Sequence, residues 1–175
     1  MTATLFTKGA PNGVLKLPLG WRGGFRELTI YGGPYDRFPG IAKMYGVCVR
    51  AERAPKGQFH VHLPIEDFSV PEDHKAVERA LISTFSALLN GSAVYVGCAG
   101  GWGRTGLFLA LLAKAAGIKA PVAYVRNHYT PHAVETKQQL EYVARFDVSK
   151  VRQHALKQGW RSLLRGKKLH KQVAT

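Results

Sequence analysis

Apolar positions divide the chain into short strand-like runs and longer helix-like stretches, with glycine and proline between them. Alternating apolar and polar residues, or a short apolar run closed by turn residues, predict a β-strand. The predicted strands are Glu27 to Tyr31, Gly46 to Arg50, Phe59 to Leu63 and the apolar run that leads to Cys98. Because helix-like stretches alternate with these strands, we expect an α/β fold, in which a central, mostly parallel sheet of four or five strands is flanked by helices.

Helices are predicted by apolar residues at helical spacing and by residues that start or stop a helix. The clearest stretch begins near Pro71, with Glu72 and Asp73 in its first turn, and ends at Asn90-Gly91. The stretch from Arg104 to Ala116 is apolar on nearly all sides, which predicts a buried helix. The other predicted helices are Arg37 to Tyr45, Ala120 to Tyr129, and the segment that follows Thr136.

The two ends of the chain differ from the middle. Residues 1–26 are rich in glycine and proline and have a broken apolar pattern, which predicts an irregular N-terminal arm. Residues 27–147 form the predicted catalytic domain. Residues 148–175 have weak helical periodicity, interrupted by Gly159 and Gly166, and are interpreted as a basic C-terminal helix or tail.

Composition and charge restrict the class of protein. A hydrophobic content of 46% and a charged content of 21% indicate a globular chain. Two cysteines without a spacing pattern argue against a disulfide framework and favour a reducing, cytoplasmic location. The first residues lack the basic-then-apolar pattern of a signal segment. No apolar run approaches the roughly 18 residues of a membrane span, so we expect no transmembrane segment.

The net charge of +14 is concentrated in the C-terminal tail, which has eight lysines or arginines and no acidic residue after Asp147. Such a balance predicts a polyanionic partner for 148–175, such as RNA or an anionic lipid. The alternative is a solvated tail that only aids solubility.

The glycine-rich turn after the predicted central strand carries the clearest chemistry. It reads Cys98-Ala99-Gly100-Gly101-Trp102-Gly103-Arg104-Thr105-Gly106 and opens the buried helix. Glycines let backbone N–H groups converge on an anion, the helix N-terminus adds positive potential, and Arg104 offers a planar fork of donors to phosphate oxygens. This field favours the thiolate of Cys98, a nucleophile able to attack bound phosphorus. The alternative is an inert buried cysteine that only packs.

The pattern Cys-x5-Arg-Thr-Gly resembles the cysteine-dependent protein tyrosine and dual-specificity phosphatase superfamily, and the resemblance extends over about residues 27–146. It implies a dual-specificity phosphatase-like fold and a two-step reaction through a cysteinyl-phosphate, without a metal or another cofactor. It also implies that Thr105 helps the thiolate leave. The phosphate-binding residues would be Ala99, Gly100, Gly101, Trp102, Gly103 and Arg104. The departure is Gly97, where the family usually has histidine.

Two further positions match this family in their surroundings. Asp67, in Leu63-Pro64-Ile65-Glu66-Asp67, lies 31 residues before Cys98 and is expected to be the general acid and then the general base, with Glu66 and Asp73 as alternatives. Downstream, Thr136 is expected to cap a helix and Gln139 to orient the hydrolytic water. The departure is Glu135, where the tyrosine-specific members of the superfamily tend to have another Gln.

Another candidate feature is a pair of histidines that could bind a metal. His60 and His62 share a face of a predicted strand, but no third ligand is evident, and zinc sites need three or four ligands. We therefore expect two histidines on an exposed strand face. Cys48 is interpreted as a buried strand thiol without chemistry.

These features favour a phosphomonoester hydrolase that acts on phosphorylated protein, most readily on phosphotyrosine. The same chemistry on RNA 5′-phosphate ends or phosphoinositides is an alternative, motivated by the basic tail. A phosphate-binding module with little turnover is a second alternative, motivated by Gly97.

Overall fold

The computed structural model describes residue 6 and residues 8–41, 44–53 and 59–172. The parts of the predicted N-terminal arm at 1–5 and 7, of the predicted helix at 42–43 and of the predicted tail at 173–175 lie outside the described residues. The strands are β1 (Gly13–Trp21), β2 (Gly24–Pro34), β3 (Met44–Cys48), β4 (Val61–His62) and β5 (Ala93–Cys98). The helices are α1 (His74–Leu89), α2 (Gly103–Ala116), α3 (Pro121–His128), α4 (Lys137–Arg145) and α5 (Ser149–Gln172).

The described strands form one sheet in the order β1-β2-β5-β3-β4. The pairs β2–β5, β5–β3 and β3–β4 are parallel, and only β1 runs antiparallel, against β2. The predicted α/β class with a mostly parallel sheet is confirmed. Because the carboxyl ends of β3, β4 and β5 meet at one edge, the loops that follow these strands converge there.

The prediction of irregular structure for residues 1–26 is wrong from Gly13 onward. Residues 13–21 pair with β2 in a continuous hairpin whose turn is closed by Gly23 at φ +82°. Leu15, Leu17 and Leu19 alternate with less buried residues, as a half-buried strand requires. In the sequence, Pro18 argued against a strand at this position. However, β1 is an edge strand of the sheet, where proline is tolerated.

The connection between β2 and β3 also differs from the prediction. A single 3-10 turn, Tyr35–Arg37, replaces the first part of the helix expected over 37–45, and β3 already begins at Met44. Pro39 and then Gly40, at φ +64°, prevent continuation of the turn into a helix.

The strand expected over 59–63 is reduced to the two residues of β4, and its histidines have backbone partners. His60 Nδ1 accepts the N–H of Gly46 at 3.0 Å, and His62 Nε2 donates to the carbonyl of Arg50 at 2.9 Å. Within the described ranges, no group of three or more potential metal ligands occurs.

The C-terminal segment is one helix, α5, without the interruptions predicted at its glycines. Gly159 lies against Trp21 of β1, and a Cβ at this position would approach the indole ring to 2.7 Å. This glycine therefore allows close packing of the helix on the hairpin. In the described part of the chain, no single helix is long and apolar enough to cross a membrane; α2 and α3 meet that test only together, across a bend of 120°.

We predict that Lys114→Met lowers the free energy of unfolding by about 2 kcal/mol, because hydrogen bonds from charged donors contribute about 1.5–3 kcal/mol. Lys114 Nζ donates to the carbonyls of Val143, Ala144 and Phe146 at 2.8, 2.7 and 2.9 Å, and so joins α2 to the end of α4. Urea unfolding measures the change. The control is Lys137→Met, since Lys137 is exposed and lies 3.9 Å from its carboxylate partner. An equal effect of both variants would contradict the prediction.

Candidate active site

The glycine-rich turn lies between the end of β5 and the start of α2, as predicted. Cys98 ends the strand, is 3% exposed, and its Sγ accepts the N–H of Gly101 at 3.2 Å. Gly101 has φ +81°, a conformation that favours glycine. Trp102 occupies the N-cap of α2 without a side-chain hydrogen bond to the helix. The helix N-terminus is therefore not capped by a side chain, and it can interact with an anion held beside the thiol.

Two side chains hold the carbonyl groups of this turn. Asn12 Nδ2 donates to the carbonyl of Gly100 at 2.8 Å, and the Tyr129 hydroxyl donates to the carbonyl of Gly101 at 2.5 Å. Since C=O and N–H point in opposite directions across a trans peptide, these bonds turn the N–H groups of residues 101 and 102 the other way. Neither side chain was identified from the sequence, because they lie 88 and 28 residues from their partners.

The Arg104 guanidinium is 2% exposed and contacts three residues from two segments. Nη1 donates to Glu52 Oε2 at 2.6 Å and to the carbonyl of Ile65 at 3.0 Å, while Nη2 donates to Glu52 Oε1 at 2.8 Å. Nη2 also lies 2.9 Å from Asp67 Oδ1. This bidentate pairing fixes the orientation of the guanidinium beside the turn.

Glu52 was missed by the sequence analysis, since a glutamate in a turn after a strand has no distinguishing pattern. The hydrogen bond from Arg104 holds the pKa of Glu52 below its ordinary value. The turn that carries Glu52 is held by Arg50, which forms a bidentate pair with Asp36 at 2.7 and 3.2 Å and donates to the carbonyl of Arg53 at 2.8 Å.

Of the three candidate acids, Asp67 is the one that the structure places on Arg104. Its carboxylate also accepts the N–H of Phe68, a residue with φ +57° in the same loop. Asp73 instead caps α1 by accepting the N–H groups of Lys75 and Ala76, and the bond from Ala76 above all lowers its pKa. Glu66 is exposed in the loop before Asp67.

The side chain of Gln139 lies inside the protein and does not face solvent. It is buried, its Oε1 accepts the N–H of Glu135 at 2.9 Å, and its Nε2 donates to the carbonyl of Ser69 at 3.1 Å. The predicted cap is confirmed, because Thr136 Oγ1 accepts the N–H of Gln139 in a capping box. The side chain of Gln139 thus links the start of α4 to the loop of Asp67, and its role with water stays a prediction.

The surroundings of the Thr105 hydroxyl and of the Cys48 thiol differ. The Thr105 hydroxyl is buried and has no hydrogen-bond partner among the described residues. Cys48 packs among aromatic side chains of a second core cluster, whereas Cys98 belongs to the cluster that contains Val94 and Val96. Burial raises the pKa of the Cys48 thiol. The interpretation of Cys48 as a buried strand thiol is confirmed.

The structure explains why residue 97 is glycine. A Cβ at this position would lie 2.7 Å from the carbonyl oxygen of Gly33 and 2.9 Å from the backbone of Tyr35. Backbone atoms cannot move aside as the end of a flexible side chain can. The end of β2 and the residue that follows it therefore occupy the space that a histidine side chain would need.

Comparisons with known proteins identify the family and the fold. A family model described as PTP-SAK, Swiss Army Knife protein, DSP-PTPase phosphatase domain, matches residues 49–156, more than half of the chain. The chain belongs to this family. The superfamily predicted from the cysteine loop is thereby confirmed, and the match includes Glu52, Asp67, Cys98 and Arg104.

Among curated proteins, two uncharacterized proteins of Methanocaldococcus jannaschii are each 40% identical over 88 residues, which is 49% of this chain. The aligned part is 58% of one and 54% of the other, so the chain spans little more than half the length of these relatives.

Two solved phosphatase structures have the same fold at low identity. Tk-PTP in its active form has a TM-score of 0.54 and 22% identity, covering 71% of this chain and 90% of its own. Kinase-associated phosphatase, with its catalytic-site cysteine changed to serine, has a TM-score of 0.55 and 19% identity, covering 77% and 94%.

We expect Gly97→Ala to lower the free energy of unfolding by about 1–3 kcal/mol, as overpacked positions do, and Gly97→His to lower it further. The physical reason is the close backbone of Gly33 and Tyr35. The control is Gly20→Ala, since a Cβ there has no neighbour within 4 Å. Thermal and urea unfolding measure both. A Gly97→His variant as stable as the wild type would show that the space is available.

Tyr129→Phe is expected to weaken binding of inorganic phosphate, because the Gly101 carbonyl loses its donor and the turn is free to rotate. Burial raises the pKa of Tyr129, so its hydroxyl remains a donor at neutral pH. The expected loss of stability is about 1–3 kcal/mol, the usual effect of leaving a buried acceptor unpaired.

The matched control is Tyr124→Phe, which also removes a hydroxyl that donates to a backbone carbonyl, that of Lys16. Calorimetric titration with phosphate compares the two variants. Equal phosphate affinity in Tyr129→Phe and Tyr124→Phe would exclude a role of Tyr129 in shaping the turn.

Proposed function

We propose that this protein is a cysteine-dependent phosphomonoester hydrolase that acts on phosphorylated protein, with phosphotyrosine as the preferred residue. The observation that carries the proposal is the convergence of three groups at one anion-binding turn. The buried thiol of Cys98 lies at the N-terminus of α2, Arg104 is held beside it, and Asp67 is bonded to that same guanidinium.

In the first step, the amides of residues 99–104 and Arg104 bind the phosphoryl group. Glu52 and Ile65 accept three hydrogen bonds from Nη1 and Nη2, and Asp67 lies 2.9 Å from Nη2 as an ion-pair partner, so the incoming phosphate displaces Asp67 from Nη2 or binds Nε. Cys98 Sγ attacks phosphorus, the bond to the ester oxygen breaks, and Asp67 in its protonated form donates a proton to the leaving oxygen.

In the second step, water attacks the cysteinyl-phosphate, one water proton passes to a carboxylate base, and the P–S bond breaks with its electron pair returning to Cys98. The Thr105 hydroxyl is suited to donate to the departing sulfur, because it is buried and unpaired in the described structure. The positive field at the turn stabilises the phosphoryl charge in both steps.

The preference for phosphotyrosine is supported by two exposed aromatic side chains in the loops that form the site. Phe68 follows Asp67 and is 61% exposed, while Trp102 precedes Gly103 and is 46% exposed. The ring of His132 lies 5.6 Å from that of Trp102. These rings offer apolar surface for contact with the phenyl group of phosphotyrosine. A small aliphatic phosphate ester has no ring that could make this contact.

The decisive test is release of phosphate from an aryl phosphate without added metal. We expect turnover by the wild type, none by Cys98→Ser, and a loss of about 10²–10⁴-fold in Asp67→Asn, the usual contribution of a general acid. Cys48→Ser is the matched control, since it removes the other thiol, and we expect it to retain activity.

Phosphotyrosine, phosphoserine and RNA 5′-phosphate substrates are then compared at equal concentration. Activity that survives Cys98→Ser would refute the cysteine mechanism. A wild type that binds vanadate but releases no phosphate would favour the binding module suggested by Gly97. Polyanion binding through 148–175 stays a prediction.

A further inference from the structure

The carboxylate of Glu135 lies against Gly103, the first residue of α2. A Cβ built on Gly103 would overlap Glu135 Oε2 and would lie 3.2 Å from Gln139 Oε1. The carboxylate can occupy this position only because residue 103 has no side chain. Gly103 directly precedes Arg104 and belongs to the turn proposed to bind phosphate. A second acidic group, besides Asp67, is thus placed at the same anion site.

The backbone before Glu135 is in an unusual conformation. Val134 has φ +60° although it is β-branched, and such residues rarely adopt the left-handed region. Arg126 holds this segment, because its Nε donates to the carbonyl of Ala133 at 2.9 Å and its Nη2 to that of Val134 at 2.8 Å. Strained residues persist where their surroundings over-determine them, and they cluster at functional sites. Here the strain directs the following residue towards α2.

The side chain of Gln139 already has hydrogen-bond partners, whereas the carboxylate of Glu135 has none among the described residues. Both polar atoms of the Gln139 side chain are bonded to backbone groups, one of them the N–H of Glu135 itself. Among the described residues, no hydrogen bond or ion pair engages the Glu135 carboxylate. Of the two side chains, only that of Glu135 is therefore available to contact a water molecule at the turn.

We propose that Glu135 is a second acid–base residue, which accepts a proton from the water that hydrolyses the cysteinyl-phosphate. This inference rests on the proposed function. The water oxygen bonds to phosphorus, one water proton passes to the Glu135 carboxylate, and the P–S bond breaks with its electron pair on Cys98. The proton of the neutral Glu135 is then released to solvent. Asp67 keeps its role as the acid of the first step, and Glu135 takes the role of base in the second step that the sequence analysis assigned to Asp67.

A carboxylate at this position differs chemically from an amide. Gln can orient a water molecule by accepting and donating hydrogen bonds, but it cannot take up the proton. Replacing the carboxylate of Glu135 by an amide therefore removes the base while retaining shape, so the two steps of the reaction can be separated by experiment.

The test is rapid-mixing kinetics with an aryl phosphate in Glu135→Gln. We expect a burst of about one equivalent of aryl alcohol per active site, followed by turnover slower than wild type by about 10²-fold. Acid quenching at that stage should trap phosphate on Cys98. Asp67→Asn should slow the first step and give no burst. Glu141→Gln, which changes an exposed glutamate of α4, is the matched control and should behave as wild type.

Rescue separates a chemical role from a structural one. Formate should accelerate breakdown of the phosphoenzyme in Glu135→Ala, because it can replace the missing base, and Glu135→Asp should retain part of the activity. Wild-type turnover in Glu135→Gln without a burst would overturn the proposal, as would slow turnover without a burst or rescue. A wild-type protein that releases no aryl alcohol at all would instead overturn the proposed function, and with it this inference.

Discussion

The buried guanidinium of Arg104 is the interaction on which the site depends. A charge that is 2% exposed must be paired, because an unpaired ion in the interior is far less stable than one in water. Its partners come from the turn of Glu52 after β3 and from the loop of Ile65 and Asp67 after β4. Since both strands run parallel to β5, both loops emerge at the edge where α2 begins. Pairing of this one charge therefore brings the candidate acid to the candidate nucleophile.

A second constraint is the close contact between backbone segments. Gly97 and Gly101 lie so near Gly33 and Tyr35 that a Cβ on either glycine would overlap backbone atoms. The end of β2, the end of β5 and the glycine-rich turn thus form one packed unit. In this chain that packing occupies the space of the histidine usual in the family. Orientation of the turn is supplied instead by hydrogen bonds to its carbonyls, among them that from Asn12.

The site is formed by residues inside and outside the segment that the family model matches. Residues 49–156 contain every titratable group that we assign to the chemistry, as well as Tyr129. Asn12 and Gly33, which contact the turn, lie before the matched segment. The β1–β2 hairpin and Asn12, the residue before it, therefore contribute to the shape of the turn at which the reaction is proposed to occur.

The sequence by itself determined the features that contiguous residues encode. Helical periodicity predicted α1, a stretch that is apolar on nearly all sides predicted α2, and the glycines between Cys98 and Arg104 predicted an anion-binding turn, because each depends on neighbours within a few residues. The tertiary structure alone decided the partners. Glu52 lies 52 residues from Arg104 and has no local signal, and β1 became a strand only through pairing with β2. Likewise, the helix-start pattern Thr136-x-x-Gln139 favoured Gln139, and only the position of the Glu135 carboxylate against Gly103, directly after the strained Val134, points to Glu135. Such choices depend on which loops the sheet order brings together, and residue spacing along the chain does not contain that order.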